Sequence, residues 1–307
     1  MARLGVKRER HLIEPGLYTM GKPTKESPVF VSANYTLSFD ALRSALHGND
    51  CYILVLDTKG INVWCAAGKK TFGTNELVYR IEVVGLNDVV NHRTLIVPQL
   101  GATGVDAREV RARSGFKVEF GPVRAADLPE YLKTHQATRE MRRVRFTLSD
   151  RIVLIPVEMK NFLIPVLIAS VILALVGNYT AAAAAMAAAF TGLVLFPIFL
   201  QWIPTTDFSI KGFLIGGVTA IPFAQNAFYG MTNETMWVRY GWALAYMLVI
   251  PSISAFLALN FTGSSTFTSV TGVKREIFLY MPKIAWMFGI GIILIIVLIA
   301  MKLLEGI

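Results

Sequence analysis

Hydrophobic and polar positions along this chain follow two regimes that meet near Lys160. Before that point, short apolar runs alternate with charged stretches. "CYILVLDTKG" (51–60) reads as a buried strand running into a turn, and "TLIVPQLGATG" (94–104) as a second strand ending in a glycine-rich loop. "FKVEFGPVRAADLPEYL" supplies a third strand, a loop and a helix. "TNELVYRIEVVG" (74–85) sets apolar residues at helical spacing behind Thr74 as cap. "VDAREVRARSG" reads as a helix stopped by Gly115, and "SFDALRSAL" (38–46) as one capped by Ser38. Strands alternating with helices predict a parallel sheet with helices on both faces. Ligands of such sheets sit beyond the carboxyl ends of the strands. Three loops meet that description: "GINVWCAAGKKTFGT", "PQLGATG" and "GPVRAAD".

After Lys160 the pattern loses its charges. Residues 162–179, 181–204, 212–230, 240–262 and 284–301 contain no Asp, Glu, Lys or Arg apart from the loops between them. Each is close to the ~20 residues that cross a bilayer as a helix. Pro165, Pro197, Pro222 and Pro251 interrupt several of them, which packed membrane helices tolerate. The expected organisation is an N-terminal extension (1–27), an α/β domain (28–160) and an all-α transmembrane domain of five helices (161–307). The alternative, a buried helical core in a soluble protein, fits five successive charge-free segments poorly.

Composition agrees: 54% of the 307 residues are hydrophobic and only 17% charged. The start, "MARLGVKRERHLIEPG", is basic and lacks the apolar stretch of a signal peptide, so the first domain is expected to stay where it is made. Arg139, Arg142, Arg143, Arg145, Arg151 and Lys160 precede the first span, and Lys211, Lys274, Arg275 and Lys283 fall on the same side. The positive-inside rule then gives a multi-pass protein of the cytoplasmic (inner) membrane, with a cytoplasmic N-terminal domain and the C-terminus outside. Membrane lipid accounts for the net charge of +9, and no nucleic-acid motif competes for it.

The three loops are rich in Gly and Ala and poor in acids and histidines. No Ser–His–Asp set, paired-carboxylate site or HExxH motif appears. "AAGKK" fails as a P-loop, which needs Gly where Val63 stands and Ser or Thr at Lys70; GxGxxG is absent after the first strand. Such loops read as built for a bulky cofactor that carries its own reactivity. The two cysteines, Cys51 and Cys65, have no cluster spacing, so an iron–sulfur cluster is not expected in this chain. A helical turn starting near "CAAGK" would put Cys65 near a helix N-terminus with Lys69 four residues on, surroundings that favour a thiolate. Cys51, at a strand start, reads as a buried inert thiol. Trp64 is also readable as a plain core aromatic.

"VSANYTLSFDALRSAL", "YILVLDTKGINVWCAAGKKTFGT", "LIVPQLGATGV" and "SGFKVEFGPVRAADLPEYL" resemble the Rossmann-like corrinoid-binding domain of the corrinoid iron–sulfur protein of the acetyl-CoA pathway, over roughly residues 28–160. The five spans and the unaltered "NVWCAAGK" (62–69) further resemble the membrane-bound corrinoid proteins of mercury methylation. The resemblance implies a cobalamin or related corrinoid, bound base-off, with Cys65 as catalytic residue and lower axial cobalt ligand. The histidine-supplying pattern DxHxxG of other corrinoid enzymes is absent. The implied cofactor-binding residues are Ser32; Asn62, Val63, Trp64, Cys65, Ala66, Ala67, Gly68, Lys69, Gly73 and Thr74; Gln99, Leu100 and Gly101; and Gly121, Pro122, Val123 and Arg124. The implied activity is methyl transfer from methyl-Co(III) to the substrate Hg(II), forming methylmercury. Hg(II) is an electrophile, so the methyl group must leave with electrons, as a carbanion equivalent or a radical. The implied partners are a ferredoxin-like [4Fe–4S] electron donor and a methyltransferase that passes on methyl from methyltetrahydrofolate. The competing expectations are a membrane-anchored corrinoid methyl carrier of one-carbon metabolism and, from another class, a transporter with a regulatory domain. Against the transporter stands the absence of any acid or base within the five stretches.

Overall fold

The computed structural model describes residues 12–265 and 269–304. Packing divides the chain into two units, Met1–Val144 and Arg145–Ile307.

The first unit is built on a five-stranded sheet. In chain order it contains β1 (Gly16–Met20), β2 (Val29–Ala33), α1 (Thr36–Ala45), β3 (Cys51–Leu56), α2 (Val63–Gly68), α3 (Thr74–Val83), the short α4 (Leu86–Val89), β4 (Thr94–Val97), α5 (Ala107–Ser114), β5 (Lys117–Phe120) and α6 (Leu128–Thr134). The strand order is β1-β3-β2-β4-β5. β3, β2, β4 and β5 run parallel, while β1 pairs antiparallel with β3, from Gly16 opposite Val55 to Met20 opposite Cys51. The sheet is therefore mixed, not wholly parallel as the pattern predicts, and residues 16–20 belong to it and not to an extension. A hairpin-free antiparallel edge strand with mixed exposure leaves little periodic signal.

Alternation along each strand divides the core in two. Val31, Leu54 and Val97 face α3 and α5, packing with Leu77, Ile81 and Val110. Phe30, Ile53 and Ile96 face the other way, with Phe39 and Leu42 of α1 and Leu128 and Tyr131 of α6. Each such side chain contributes about 1.5–3 kcal/mol on burial. Helices thus cover both faces, as expected. Two helix starts differ from the reading. α1 begins at Thr36, with Tyr35 at its N-cap in place of Ser38. α3 has Gly73 at its N-cap, because the Thr74 hydroxyl is taken by the backbone N–H of Asp106 at 2.8 Å. Gly115 ends α5 as expected, with φ of 78°.

The second unit is helical: α7 (Leu148–Ile152), α8 (Ile155–Leu175), α9 (Tyr179–Phe190), α10 (Phe196–Phe199), α11 (Phe208–Gln225), α12 (Met236–Ser264) and α13 (Val270–Leu304). Five helical stretches are long and apolar enough to cross a membrane: Leu148–Leu175, Tyr179–Phe199, Phe208–Gly230, Met236–Ser264 and Thr271–Leu304. α12 is central, with 61% of its apolar window buried, against 11% for the first stretch and 17% for the last. Those outer helices turn Leu175, Phe278 and Trp286 outward, an apolar surface suited to lipid. Gly212 and Gly216 let α11 approach α12 closely: a Cβ there would stand 2.6 Å from the Ala255 Cα and 2.7 Å from the Pro251 Cα. The ladder widens to π geometry at Thr191–Leu195, just before Pro197, and at Asn226–Gly230, just after Pro222.

The helices overrun the charge-free stretches. The expected boundary at residue 160 falls inside α8, and the second stretch ends at Phe199 instead of 204. Glu158, Lys211 and Glu276 all lie within helices and are buried. They are accommodated by partners: Ser264 for Glu158, the Leu200 carbonyl for Lys211, and the backbone N–H groups of Phe208 and Ser209 for Glu276. The argument that no acid or base enters the spans holds only for the shorter stretches drawn from the sequence.

Candidate functional site

The loop after β3 is set by one buried side chain. Asn34, directly after β2, turns its Oδ1 toward the loop after β3. That oxygen accepts from the backbone N–H of Thr58 and of Gly60, each at 3.0 Å. The Thr58 hydroxyl has two acceptors in reach, the Ile61 carbonyl at 2.7 Å and the Asn34 Oδ1 at 2.8 Å. Between them Lys59 and Gly60 adopt φ of 56° and 69°, a left-handed pair that reverses the chain. Asp57 closes the turn: its backbone N–H donates to Glu76 Oε1 at 2.9 Å, and its carboxylate accepts from Lys59 Nζ at 2.6 Å. Burial pushes the Asp57 carboxyl up, but the Lys59 hydrogen bonds and the charges of Lys59 and Arg80 outweigh it and hold it below its usual value. Glu76 is in turn gripped by Arg80 one helical turn on, at 2.7 Å.

The turn delivers the chain to α2. Asn62 is its N-cap, with Oδ1 accepting the backbone N–H of Cys65 at 2.9 Å. The short helix has a clear inside. Val63, Ala66 and Ala67, at spacings of three and four, are buried against the sheet. Trp64 and Cys65 are half-buried on the other side, followed by exposed Gly68 and Lys69. Cys65 thus sits in the first turn of a capped helix, as expected, beyond the carboxyl end of β3. Cys51 is the opposite case. It is fully buried, and burial, with the charge of Asp50, pushes its thiol up to about 11. Neither cysteine is in a disulfide.

The loop after β4 packs directly on α2. Residues Gln99–Thr103 form a 3-10 turn in which Gly101 is buried against Phe72; a Cβ on Gly101 would meet the Phe72 ring at 2.5 Å. Gly104 is tighter still, with a Cβ position 2.2 Å from the Phe72 carbonyl and 2.9 Å from the Ala67 Cα. These glycines serve the approach of one loop to another, a different use from the approach to a cofactor inferred from composition. Gln99 and Leu100 are half-buried, and Gln99 Oε1 accepts from Arg142 Nη1 at 2.7 Å. The loop after β5 lies alongside: the N–H of Gly121 bonds the Val97 carbonyl at 2.9 Å, and that of Val123 the Met141 carbonyl at 2.8 Å. Gly121 and Pro122 are buried, Val123 and Arg124 half-buried. Ser32 lies inside the sheet and is buried.

Gly73 and Thr74 line a separate open groove of about 730 Å³, together with Lys70, Gly104 and Asp106 at the starts of α3 and α5. Trp64 and Cys65 do not line it. Asn34 is the residue that sequence reasoning misses. A single Asn after a strand carries no periodicity, and only its position before a turn could have marked it.

A metal bound at Cys65 would have to bring most of its own ligands. Among the described residues no three His, Cys, Asp or Glu side chains gather as a metal site. A macrocyclic metal meets that condition, since it needs only one protein donor. A half-exposed thiol beside an indole fits such a group.

Residues 8–132 match the family model of the CO dehydrogenase/acetyl-CoA synthase delta subunit. Similar curated proteins include the acetyl-CoA decarbonylase/synthase complex subunit gamma of Methanopyrus kandleri, 34% identical over 128 residues, 41% of this chain and 27% of that protein. The subunits gamma of Archaeoglobus fulgidus and Methanocaldococcus jannaschii are 29% and 28% identical over 130 and 132 residues, 42% of this chain in each case and 27% and 26% of those proteins. The chain spans about a quarter of the length of these relatives. The matched family stretch ends within α6, before the helical unit begins. The resemblance of the N-terminal region to the corrinoid protein of acetyl-CoA-forming complexes is thereby supported.

Proposed function

We propose that this protein is a membrane-embedded, corrinoid-dependent methyltransferase that methylates Hg(II), with Cys65 as the protein ligand of cobalt. The observation that carries the reading is the placement of Cys65. It lies half-exposed in the capped first turn of α2, at the carboxyl edge of a sheet unit related to corrinoid proteins. When bound, the corrinoid supplies a cobalt–methyl bond whose methyl group leaves with the bonding pair, as an electrophile such as Hg(II) requires.

The chain's own residues do the rest. Asn62 fixes α2 and so the direction of the Cys65 Cα–Cβ bond. Val63, Ala66 and Ala67 seat the helix on the sheet, which holds the Cys65 backbone in place. Lys69, one helical turn on, carries a positive charge at the exposed end of α2, and a thiolate, not a thiol, binds metal. Trp64 offers a flat apolar face beside it. The loops carrying Gln99, Leu100 and Gly101 and Gly121 to Arg124 form the rest of the rim. Leaving with its bonding pair costs two electrons per turnover when the methyl donor gives a methyl cation. A ferredoxin-like [4Fe–4S] partner is the proposed source, with a methylfolate-dependent methyltransferase as donor. In this reading the chemistry takes place at a membrane with the α/β unit on the cytoplasmic side; five helices long and apolar enough to cross a membrane and the Lys and Arg distribution support it. The second reading, a corrinoid methyl carrier of one-carbon metabolism, is favoured by the names of the relatives, but methyl-cation transfer gains nothing from a thiolate ligand.

The test is X-ray absorption at the cobalt edge of the full-length protein loaded with cobalamin. A sulfur neighbour at cobalt that is lost in Cys65→Ala and kept in Cys51→Ala is expected. A cobalt environment unchanged by Cys65→Ala would remove the assignment.

A further inference from the structure

At one end of the helical unit, four helices bring charged residues inside: α7, α8, α11 and α13. Glu276 of α13 caps α11, accepting from the backbone N–H groups of Phe208 and Ser209 and from the Ser209 hydroxyl, each at 3.1 Å. Asp207 accepts from the Tyr280 hydroxyl at 2.7 Å and lies 3.5 Å from the largely exposed Arg275. Glu158 of α8 is bonded by the Ser264 hydroxyl of α12. The buried carboxylates Glu276 and Glu158 therefore face neutral donors.

Neither buried cation is in an ion pair with them among the described residues. Lys211, 7% exposed, gives its ammonium to the Leu200 carbonyl at the end of α10. Arg151 of α7 is 1% exposed, and its Nε and Nη1 reach no hydrogen-bond acceptor among the described residues. α7 packs on α10, the helix whose last carbonyl holds Lys211. Two buried cations share one neighbourhood, then, and neither forms an ion pair among the described residues. A buried guanidinium with unmet donors is among the most costly arrangements a fold can hold, and a partner of opposite charge relieves it.

We propose that Arg151, with Lys211 beside it, forms a binding site for an anionic oxygen group of the phosphate class at this end of the helical unit. The planar guanidinium suits such oxygens better than an ammonium does. Two sources present that chemistry, a free oxyanion and the phosphodiester of an anionic lipid. Basic residues between helices near a membrane surface are placed for either.

The experiment uses the full-length protein in uncharged detergent, with thermal unfolding followed by helical circular dichroism. One arm adds sodium phosphate against sodium gluconate at matched ionic strength. The other adds phosphatidylglycerol against phosphatidylcholine. A site of this kind gives a saturable rise of roughly 5 °C at a hundredfold excess over Kd. A rise with phosphate identifies a free oxyanion, and a rise with phosphatidylglycerol alone identifies a lipid. Arg151→Met should lose the rise and Arg151→Lys should shrink it. If Arg151→Met does not fold, wild type and Arg151→Lys decide the matter. No saturable rise in wild type, as expected if water alone satisfies Arg151, would overturn the proposal. So would an equal rise in Arg151→Lys and wild type.

Discussion

Replacing Asn34 by alanine tests how the site is held. The substitution removes one acceptor oxygen and leaves the N–H groups of Thr58 and Gly60 without their partner, both inside a buried turn. The Thr58 hydroxyl keeps the Ile61 carbonyl. Each buried unmet N–H costs about 1–3 kcal/mol, and water entering the space left by the carboxamide recovers part of it, so the net loss is about 2–4 kcal/mol. The loss is local, because the sheet beneath does not depend on this side chain. Hydrogen exchange of the full-length protein in detergent reads it directly, on peptides covering residues 57–68. Since 1.4 kcal/mol is tenfold, exchange there should quicken on the order of thirty- to several-hundredfold. Peptides from β4 and β5 should be unchanged. Corrinoid affinity should fall, because the turn positions α2. Exchange in residues 57–68 within about threefold of wild type would refute the view that Asn34 organises the turn.

Other outcomes follow from the same geometry. Alkylation of the native protein at pH 8 should label Cys65 and spare Cys51, whose thiol, pushed up to about 11, is ionised to only about one part in a thousand there; mass spectrometry of tryptic peptides reads this, and equal labelling would contradict it. Asn62→Ala should cost about 1 kcal/mol of local stability through loss of the α2 cap and weaken corrinoid binding by up to about fivefold, measured by equilibrium dialysis. The Asp57 carboxyl is held below its unfolded value, so its contribution is present above that unfolded value and is lost as pH falls through the lower folded one. The effect is small, because Lys59 is largely exposed. Exchange at residues 57–61 should therefore rise modestly below about pH 4, and Asp57→Asn should abolish that dependence.

What could be read in advance depended on periodicity. β3, β4 and β5 announce themselves as apolar runs closed by turns, and α3, α5 and α6 by helical spacing. β2 was lost because "VFVSA" is short, buried on both faces, and contains Ser32 where alternation would place an apolar residue. β1 was lost because an edge strand of mixed exposure has no inward face to keep apolar. The span ends were misjudged because charge was taken as a stop signal, whereas Glu158, Lys211 and Glu276 find partners inside. The motif around Cys65 was legible as a motif, and the exposed side of α2 could be read from its spacing. The turn that aims it was not. Asn34 and the loop after β3 are more than twenty residues apart in sequence, and nothing local links them.

The central claim is that Cys65 enables methyl transfer to Hg(II) with the bonding pair. The most direct measurement is methylmercury formed per protein-bound cobalt, using corrinoid-loaded full-length wild type and Cys65→Ala supplied with a methyl donor and a low-potential reductant. Repeated turnover by wild type is predicted, falling to background in a Cys65→Ala protein that still carries its corrinoid. Turnover by corrinoid-loaded Cys65→Ala at the wild-type rate would contradict it.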